Sequence, residues 1–354
     1  RNVVPNSWND YSISTENGEV FSLLGFWEYI SSKVLAYVLS HIGDDIECQS
    51  VDLSWVLRVW ETDHLSESEI FTLLEEKIFW LTSYLIDHGI VPILSGYVWV
   101  FTWGIESAIG RGYSDATAAI CVVSYAHKWY EGILEIQKSV KWVLSADPRV
   151  LDNPSSAKLL REIDYVTARE ITWDNGANAK LLHSQAIREE VQDAWVKIHL
   201  FDPFSSGSEN GTWVVPQVEE NSENPDGELF FGGRNNIVFC SVSSGKMFES
   251  WVLSSIFTVV KEYFSVDIIS ASETEVSFTV DASSDIKEKL ESMNRKLREV
   301  CNISRDTHME FVEFETDKAL LFCIGQHMRN NIGLLAKASN ILAINDINIA
   351  IVSQ

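Results

Sequence analysis

Gly110-Arg111-Gly112-Tyr113-Ser114-Asp115 runs directly into the small-residue stretch Ala116 to Ala126, so glycines and a Ser/Asp N-cap stand at the start of a helix. Upstream, an amphipathic helix over Ser68 to His88 leads into the apolar run Ile90-Val91-Pro92-Ile93-Leu94, which stops at Ser95-Gly96. That order is helix, buried strand, turn. Earlier still, Ile30, Val34, Leu35, Val38 and Leu39 recur at helical spacing between Phe26 and Ile42, Gly43 marks a stop, and Glu47 to Leu53 reads as a strand. Helices alternating with short apolar runs predict an α/β domain.

Downstream, Ser205 to Gly233 is rich in Gly, Ser, Asn, Glu and Pro and reads as a linker or domain boundary. Beyond it, Ile237 to Val242 (strand), Trp251 to Phe264 (helix), Val266 to Ser270 and Glu275 to Val280 (strands) and Ser284 to Glu299 (helix) follow the order of a ferredoxin-like unit. A second copy is expected from strand Ala319 to Ile324, helix Ile332 to Ala343 and strand Asn348 to Val352. The paired stretches Val266-Asp267-Ile268-Ile269-Ser270 and Ile347-Asn348-Ile349-Ala350-Ile351 support two related modules.

Composition narrows the function classes. With 354 residues and 46% apolar content, the chain suits two or three domains. Its formal net charge of −24 repels a polyanion, which argues against nucleic-acid binding. The odd, scattered cysteines Cys48, Cys121, Cys240, Cys301 and Cys323 read as free thiols in a reducing compartment, with no zinc-ligand spacing to histidine. Ile78 to Gly104 resembles a membrane span in length, but Asp87, His88, Gly89 and Pro92 favour a helix followed by a buried strand.

Five segments, in order, resemble aspartate kinases of the amino-acid kinase family. Gly110 to Asp115 is similar to their GRG[GY][ST]D motif, Ser145-Ala146-Asp147-Pro148-Arg149 to TADPR, and Ala179-Lys180-Leu181-Leu182-His183 to AKVLHP. Val266 to Glu273 resembles VDLISTSE of a first ACT module, and Asn348 to Gln354 resembles NIEMISQ of a second. The resemblance implies an amino-acid kinase (carbamate-kinase-like) three-layer α/β fold over residues 1–230. It further implies two ferredoxin-like βαββαβ ACT domains, over 231–318 and, incomplete, over 319–354. The family's KFGGTS segment is absent from the sequence and the second module lacks its final strands, so the chain is expected to be truncated at both ends and, without KFGGTS, inactive by itself.

The implied reaction is transfer of the ATP γ-phosphate to the β-carboxylate of L-aspartate, the first step of lysine, threonine and methionine biosynthesis, with magnesium bridging the nucleotide. By resemblance, Arg111, Ser114 and Asp115 are catalytic; Glu28, Arg111 and Gly112 bind substrate; and Lys138, Asp147, Arg149 and Lys180 bind nucleotide. From local sequence alone, Ser114 and Asp115 are simple N-caps and the cations are ordinary exposed charges. Asp267, Ser270, Ser272 and Glu273 are the implied effector-binding residues, for threonine or lysine. A cytoplasmic homo-oligomer joined through its ACT domains, binding neither nucleic acid nor membrane, is the implied setting. A catalytically dead amino-acid-sensing subunit is the rival reading, and a kinase of the same fold with another substrate is a third.

Departures from the family pattern fall on glycines. Trp27, Trp99, Trp142 and Trp251 each stand where the family has glycine, while Ser139, Leu144 and Ser184 replace other motif residues. Four such exchanges, placing the largest side chain where none is used, point either to a decayed pseudo-kinase or, the favoured reading, to UGA codons that specify glycine and were translated as tryptophan.

Overall fold

The computed structural model describes residues 2–5, 11–14, 20–42, 46–53, 56–57, 65–98, 112–128, 130–137, 143–173, 182–204, 211–218, 229–243, 250–283, 285–300, 312–325, 328 and 332–353. The chain divides into two compact units, Arg1–Phe230 with Ile324–Gln326, and Phe231–Cys323 with His327–Gln354. No described helix is long and apolar enough to cross a membrane.

In the first unit, β1 (Asn2–Pro5), β2 (Tyr11–Ser14) and β3 (Val20–Ser22) form an antiparallel meander that leads into α1 (Leu23–Ile42). Strands β4 (Cys48–Val51) and β5 (Val91–Leu94) pair in parallel, Cys48 opposite Val91 and Val51 opposite Leu94. Parallel neighbours need a crossover, and α2 (Glu67–Asp87) supplies it. A capping box starts α2: Ser66 Oγ accepts from Glu69 N, while Glu69 Oε2 accepts from Ser66 N at 2.7 Å. Ile70, Phe71, Leu74 and Ile78 line one face of α2 and are buried with Leu53, Leu57, Tyr97, Val98 and Tyr113. Against this face lies α3 (Tyr113–Ala126), whose buried Ala116, Ala119 and Ile120 keep its inner surface flat enough for close approach.

A second sheet follows, built from β6 (Ile133–Gln137), β7 (Glu162–Asp164), β8 (Lys197–Phe201) and β9 (Thr212–Val215) in the order β6-β8-β9-β7. Helices α4 (Tyr165–Trp173) and α5 (Glu189–Asp193) lie between β7 and β8 in sequence. Here the linker reading of Ser205 to Gly233 needs correction, because β9 falls inside it and pairs with both β7 and β8. Its four residues, Thr-Trp-Val-Val, are strand formers whose signal disappears when averaged with polar neighbours. Gly211 has φ +121°, and a Cβ there would lie 2.2 Å from Leu200 O, so only glycine lets the chain turn into β9 this close to β8.

The second unit is built on β10 (Phe230–Ser243), α6 (Ser250–Val260), β11 (Ile269–Ala271), β12 (Glu275–Asp281), α7 (Ile286–Val300) and β13 (Val312–Ile324). The sheet order β11-β12-β10-β13 is that of a ferredoxin-like βαββαβ unit. Val238, Cys240 and Val242 face Val280, Phe278 and Val276 across β10 and β12, all buried on one face. Leu290, Met293 and Leu297 of α7, spaced three and four apart, close over that face with Val252, Ile256 and Val259 of α6. Beyond β13 the same unit contains α8 (Leu334–Ile344).

Two strand expectations are corrected. The strand expected over Val266 to Ser270 is confined to Ile269–Ala271, and residues 347–353 form no regular element. A strand is defined by hydrogen bonds to a neighbour, and the apolar alternation of Asn348 to Val352 shows the tendency without the partner.

Burial pushes the Cys121 and Cys240 thiols up to about 12 and raises Cys323 as well. A thiol-alkylating reagent is therefore expected to label Cys48 well ahead of Cys121 and Cys240 in the native protein, read by peptide mass spectrometry. Equal rates at all three would contradict this packing.

Candidate functional site

Several segments meet at the start of α3. Gly112, with φ +97°, is the N-cap and makes no side-chain cap bond. The Ser/Asp cap expected from the sequence is thus not formed; Ser114 and Asp115 lie within the first turn, with Ser114 exposed. Tyr113 is buried edge-on to Tyr97, ring centroids 5.6 Å apart, and its hydroxyl donates to Glu28 Oε1 from α1. Gly96, just beyond β5, fills the space between them: a Cβ there would lie 3.0 Å from Ser114 Cβ and 3.1 Å from Glu28 Oε2. Thr117 Oγ1 donates to Gly96 O at 2.7 Å and fixes that approach. The result is a carboxylate, a hydroxyl and a helix N-terminus around one small opening. A helix start offers backbone N–H groups and the positive end of the dipole, which suit an anion; a carboxylate beside it suits an ammonium.

A further segment closes over Gly112. A Cβ on that glycine would come within 3.2 Å of His183 Cδ2. His183 Nδ1 accepts from Gln185 N at 3.2 Å, capping the short 3-10 turn Ser184–Ile187. The turn ends at Arg188, whose Nη2 donates to Glu75 Oε1 of α2 at 2.7 Å, with the two side chains only 9% and 10% exposed. The Arg188 guanidinium also lies 4.5 Å above the Phe71 ring. Burial raises the Glu75 carboxyl above its ordinary value, against the opposing pull of Arg188 and His127. This buried pair is the anchor that holds the His183 turn on α2.

Of the nucleotide-site candidates, Asp147 and Arg149 are described, whereas Arg111, Lys138 and Lys180 lie outside the described residues. Asp147 and Arg149 meet each other on a separate hairpin, Arg149 Nη2 to Asp147 Oδ2 at 2.6 Å. That bond holds the Asp147 carboxyl below its usual range. The hairpin is closed by Ser145 N to Lys158 O at 2.7 Å and Leu160 N to Val143 O at 2.8 Å. Thr212 of β9 secures its base, accepting from Val143 N at 3.1 Å and donating to Leu160 O at 2.6 Å while fully buried. The Arg149 side chain is 71% exposed at the hairpin tip.

In the second unit, Asp267 pairs with Arg234 of β10, which also reaches Asp281 at 3.4 Å. Ser270 sits in β11 opposite Ser277. The Ser272 hydroxyl accepts from Glu275 N at 3.1 Å and so shapes the β11–β12 turn, where Glu273 is exposed. Tyr113, Gly96 and His183 were missed by sequence reasoning as site residues. The tyrosine and the histidine lie inside quoted motifs, and Gly96 ends the strand that precedes the site.

No protein-family profile matches the chain. Among curated relatives, it is 23% identical over 358 residues to aspartate kinase FUB3 of Gibberella fujikuroi, covering 94% of this chain and 65% of that protein. It therefore spans just under two thirds of that relative. Among solved structures, Clostridium acetobutylicum aspartate kinase superposes with a TM-score of 0.69 at 20% identity, over 93% of this chain and 68% of that one. Escherichia coli aspartokinase III with aspartate and ADP, in its R-state, gives 0.61 at 23% identity, over 92% and 68%. The same enzyme with lysine and aspartate, in its T-state, gives 0.61 at 22%, over 92% and 67%. These likenesses establish the aspartate kinase fold and bear out the resemblance carried by the five motifs.

Proposed function

We propose that this chain is the larger part of an ATP-dependent aspartate kinase, with residues 1–230 in the catalytic domain and 231–318 and 319–354 in two ACT domains. The observation that carries the proposal is the junction of Glu28, Gly96, Tyr113 and Ser114 at the mouth of α3. Glu28 would take the ammonium of aspartate. Arg111 would hold a substrate carboxylate bidentately, and Gly112, Ser114 and Asp115 would present the helix start to the transferred phosphate. A β-carboxylate oxygen of aspartate attacks the γ-phosphorus, the bond to the ADP oxygen breaks, and 4-phospho-L-aspartate leaves. Phosphoryl transfer asks mainly for positioning and charge neutralisation, which Lys138, Arg149 and Lys180 would supply, with a magnesium ion accompanying ATP adding further neutralising charge. Asp147 orients Arg149.

Control would lie in the second unit, where Asp267, Ser270, Ser272 and Glu273 would bind lysine or threonine and couple to catalysis through assembly of the ACT domains into a homo-oligomer. The lysine-bound T-state of the Escherichia coli enzyme supports an amino-acid effector. The setting is cytoplasmic lysine, threonine and methionine biosynthesis. The test uses the full-length gene product, with aspartyl phosphate trapped as its hydroxamate. Glu28→Gln is expected to raise the KM for aspartate on the order of 10- to 100-fold, the worth of a charged hydrogen bond. Full-length protein that forms no hydroxamate would refute the proposal.

A further inference from the structure

Three helices end on the same pair of backbone bonds. After α2, Gly89 N donates to Ile86 O at 2.9 Å and Ile90 N to Leu85 O at 2.8 Å. After α8, Asp346 N donates to Ala343 O at 3.1 Å and Ile347 N to Leu342 O at 2.9 Å. After α5, Trp195 N donates to Gln192 O at 2.9 Å and Val196 N to Val191 O at 3.4 Å. This termination needs one residue with left-handed backbone just past the cap, and φ there is +74° at Gly89, +56° at Asp346 and +56° at Trp195. Glycine adopts that conformation freely and aspartate tolerates it. For tryptophan, the Cβ crowds the following carbonyl.

The packing returns little for that strain. Trp195 is 69% exposed, while Val191 and Val196 beside it are fully buried. The chain is also pinned immediately after it, because Tyr165 Oη donates to Val196 O at 3.0 Å and Lys197 N to Gly132 O at 3.0 Å. Relaxing φ at 195 would draw β8 away from β6. Composition points the same way. The chain has 18 glycines and 13 tryptophans, whereas average usage of about 7% predicts roughly 25 glycines in a chain of this length.

We infer that position 195 is a glycine site: codon 195 is UGA, cells carrying the gene read it as glycine, and tryptophan is what a code assigning UGA to tryptophan inserts. The backbone at 195 supports this independently of the four glycine positions read from the motifs.

Trypsin should release residues 189–197 as one peptide from protein isolated from the source cells. Glycine at 195 in that peptide, with UGA in the gene, is the expected result; tryptophan in the peptide, or UGG in the gene, overturns the inference. In the recombinant chain, Trp195→Gly is expected to raise the urea midpoint. Trp195→Ala, which keeps a Cβ, should recover only a small part of that gain. Equal gains from both, or none from glycine, would show that left-handed strain is not the cause.

Discussion

Truncating Glu75 to alanine is expected to lower the unfolding free energy by about 3–5 kcal/mol, because it leaves the Arg188 guanidinium buried without its main counter-charge. A fall in the urea midpoint at unchanged slope measures this. Arg188 is 9% exposed, and Glu190, a second carboxylate neighbour among the described residues, is more distant at 3.4 Å. Adding Arg188→Met to the alanine variant should recover much of the loss, since an apolar side chain of similar length can lie on Phe71 without a charge to satisfy. A double variant as unstable as the single would show that packing, and not the orphaned charge, carries the cost.

Glu75 also fixes a pH dependence. Burial raises its carboxyl in the folded state, so over the interval between the ordinary and raised values the folded chain binds more protons than the unfolded one. The slope of stability with pH is then negative for this group. Its contribution is fully present below the ordinary carboxylate range and is lost as pH rises through the raised value. Compared with Glu75→Gln, the native chain should therefore lose ground as pH increases across that interval.

Much of the fold was legible because its signals are local. The α2 helix announces itself through a periodic apolar face, and its capping box sets the start; the Val-Pro-Ile-Leu strand follows at once. What the sequence hid depends on contacts between distant residues. β9 is four residues long and counts as a strand because β7 and β8 flank it. The α3 cap was misread because Ser114 and Asp115 are good caps by type, whereas Gly112 takes a left-handed backbone that only the turn against His183 explains. At the site, the family resemblance supplied Glu28 and Ser114 separately. That Gly96 lies between them, and that Tyr113 ties Glu28 to α3, is written in tertiary packing and has no periodicity to read.

That same packing makes Gly96 a sensitive position of the proposed substrate site. A methyl group there already meets Ser114 Cβ at 3.0 Å and Glu28 Oε2 at 3.1 Å, and the two further methyls of valine would wedge α1 from α3. Thr117 restrains the Gly96 carbonyl, so the strain passes into the Glu28 carboxylate and the first turn of α3. Overpacking of this kind costs about 1–3 kcal/mol of stability, which the chain can survive. Displacing a substrate-holding group by about 1 Å, by contrast, costs on the order of 100-fold in turnover efficiency. In the full-length gene product, Gly96→Val is therefore expected to cut the kcat/KM of the proposed aspartate kinase activity about 100-fold while the protein remains folded, and Gly96→Ala should fall between native and valine. A valine variant with native aspartate kinetics would place the substrate away from Glu28 and the mouth of α3.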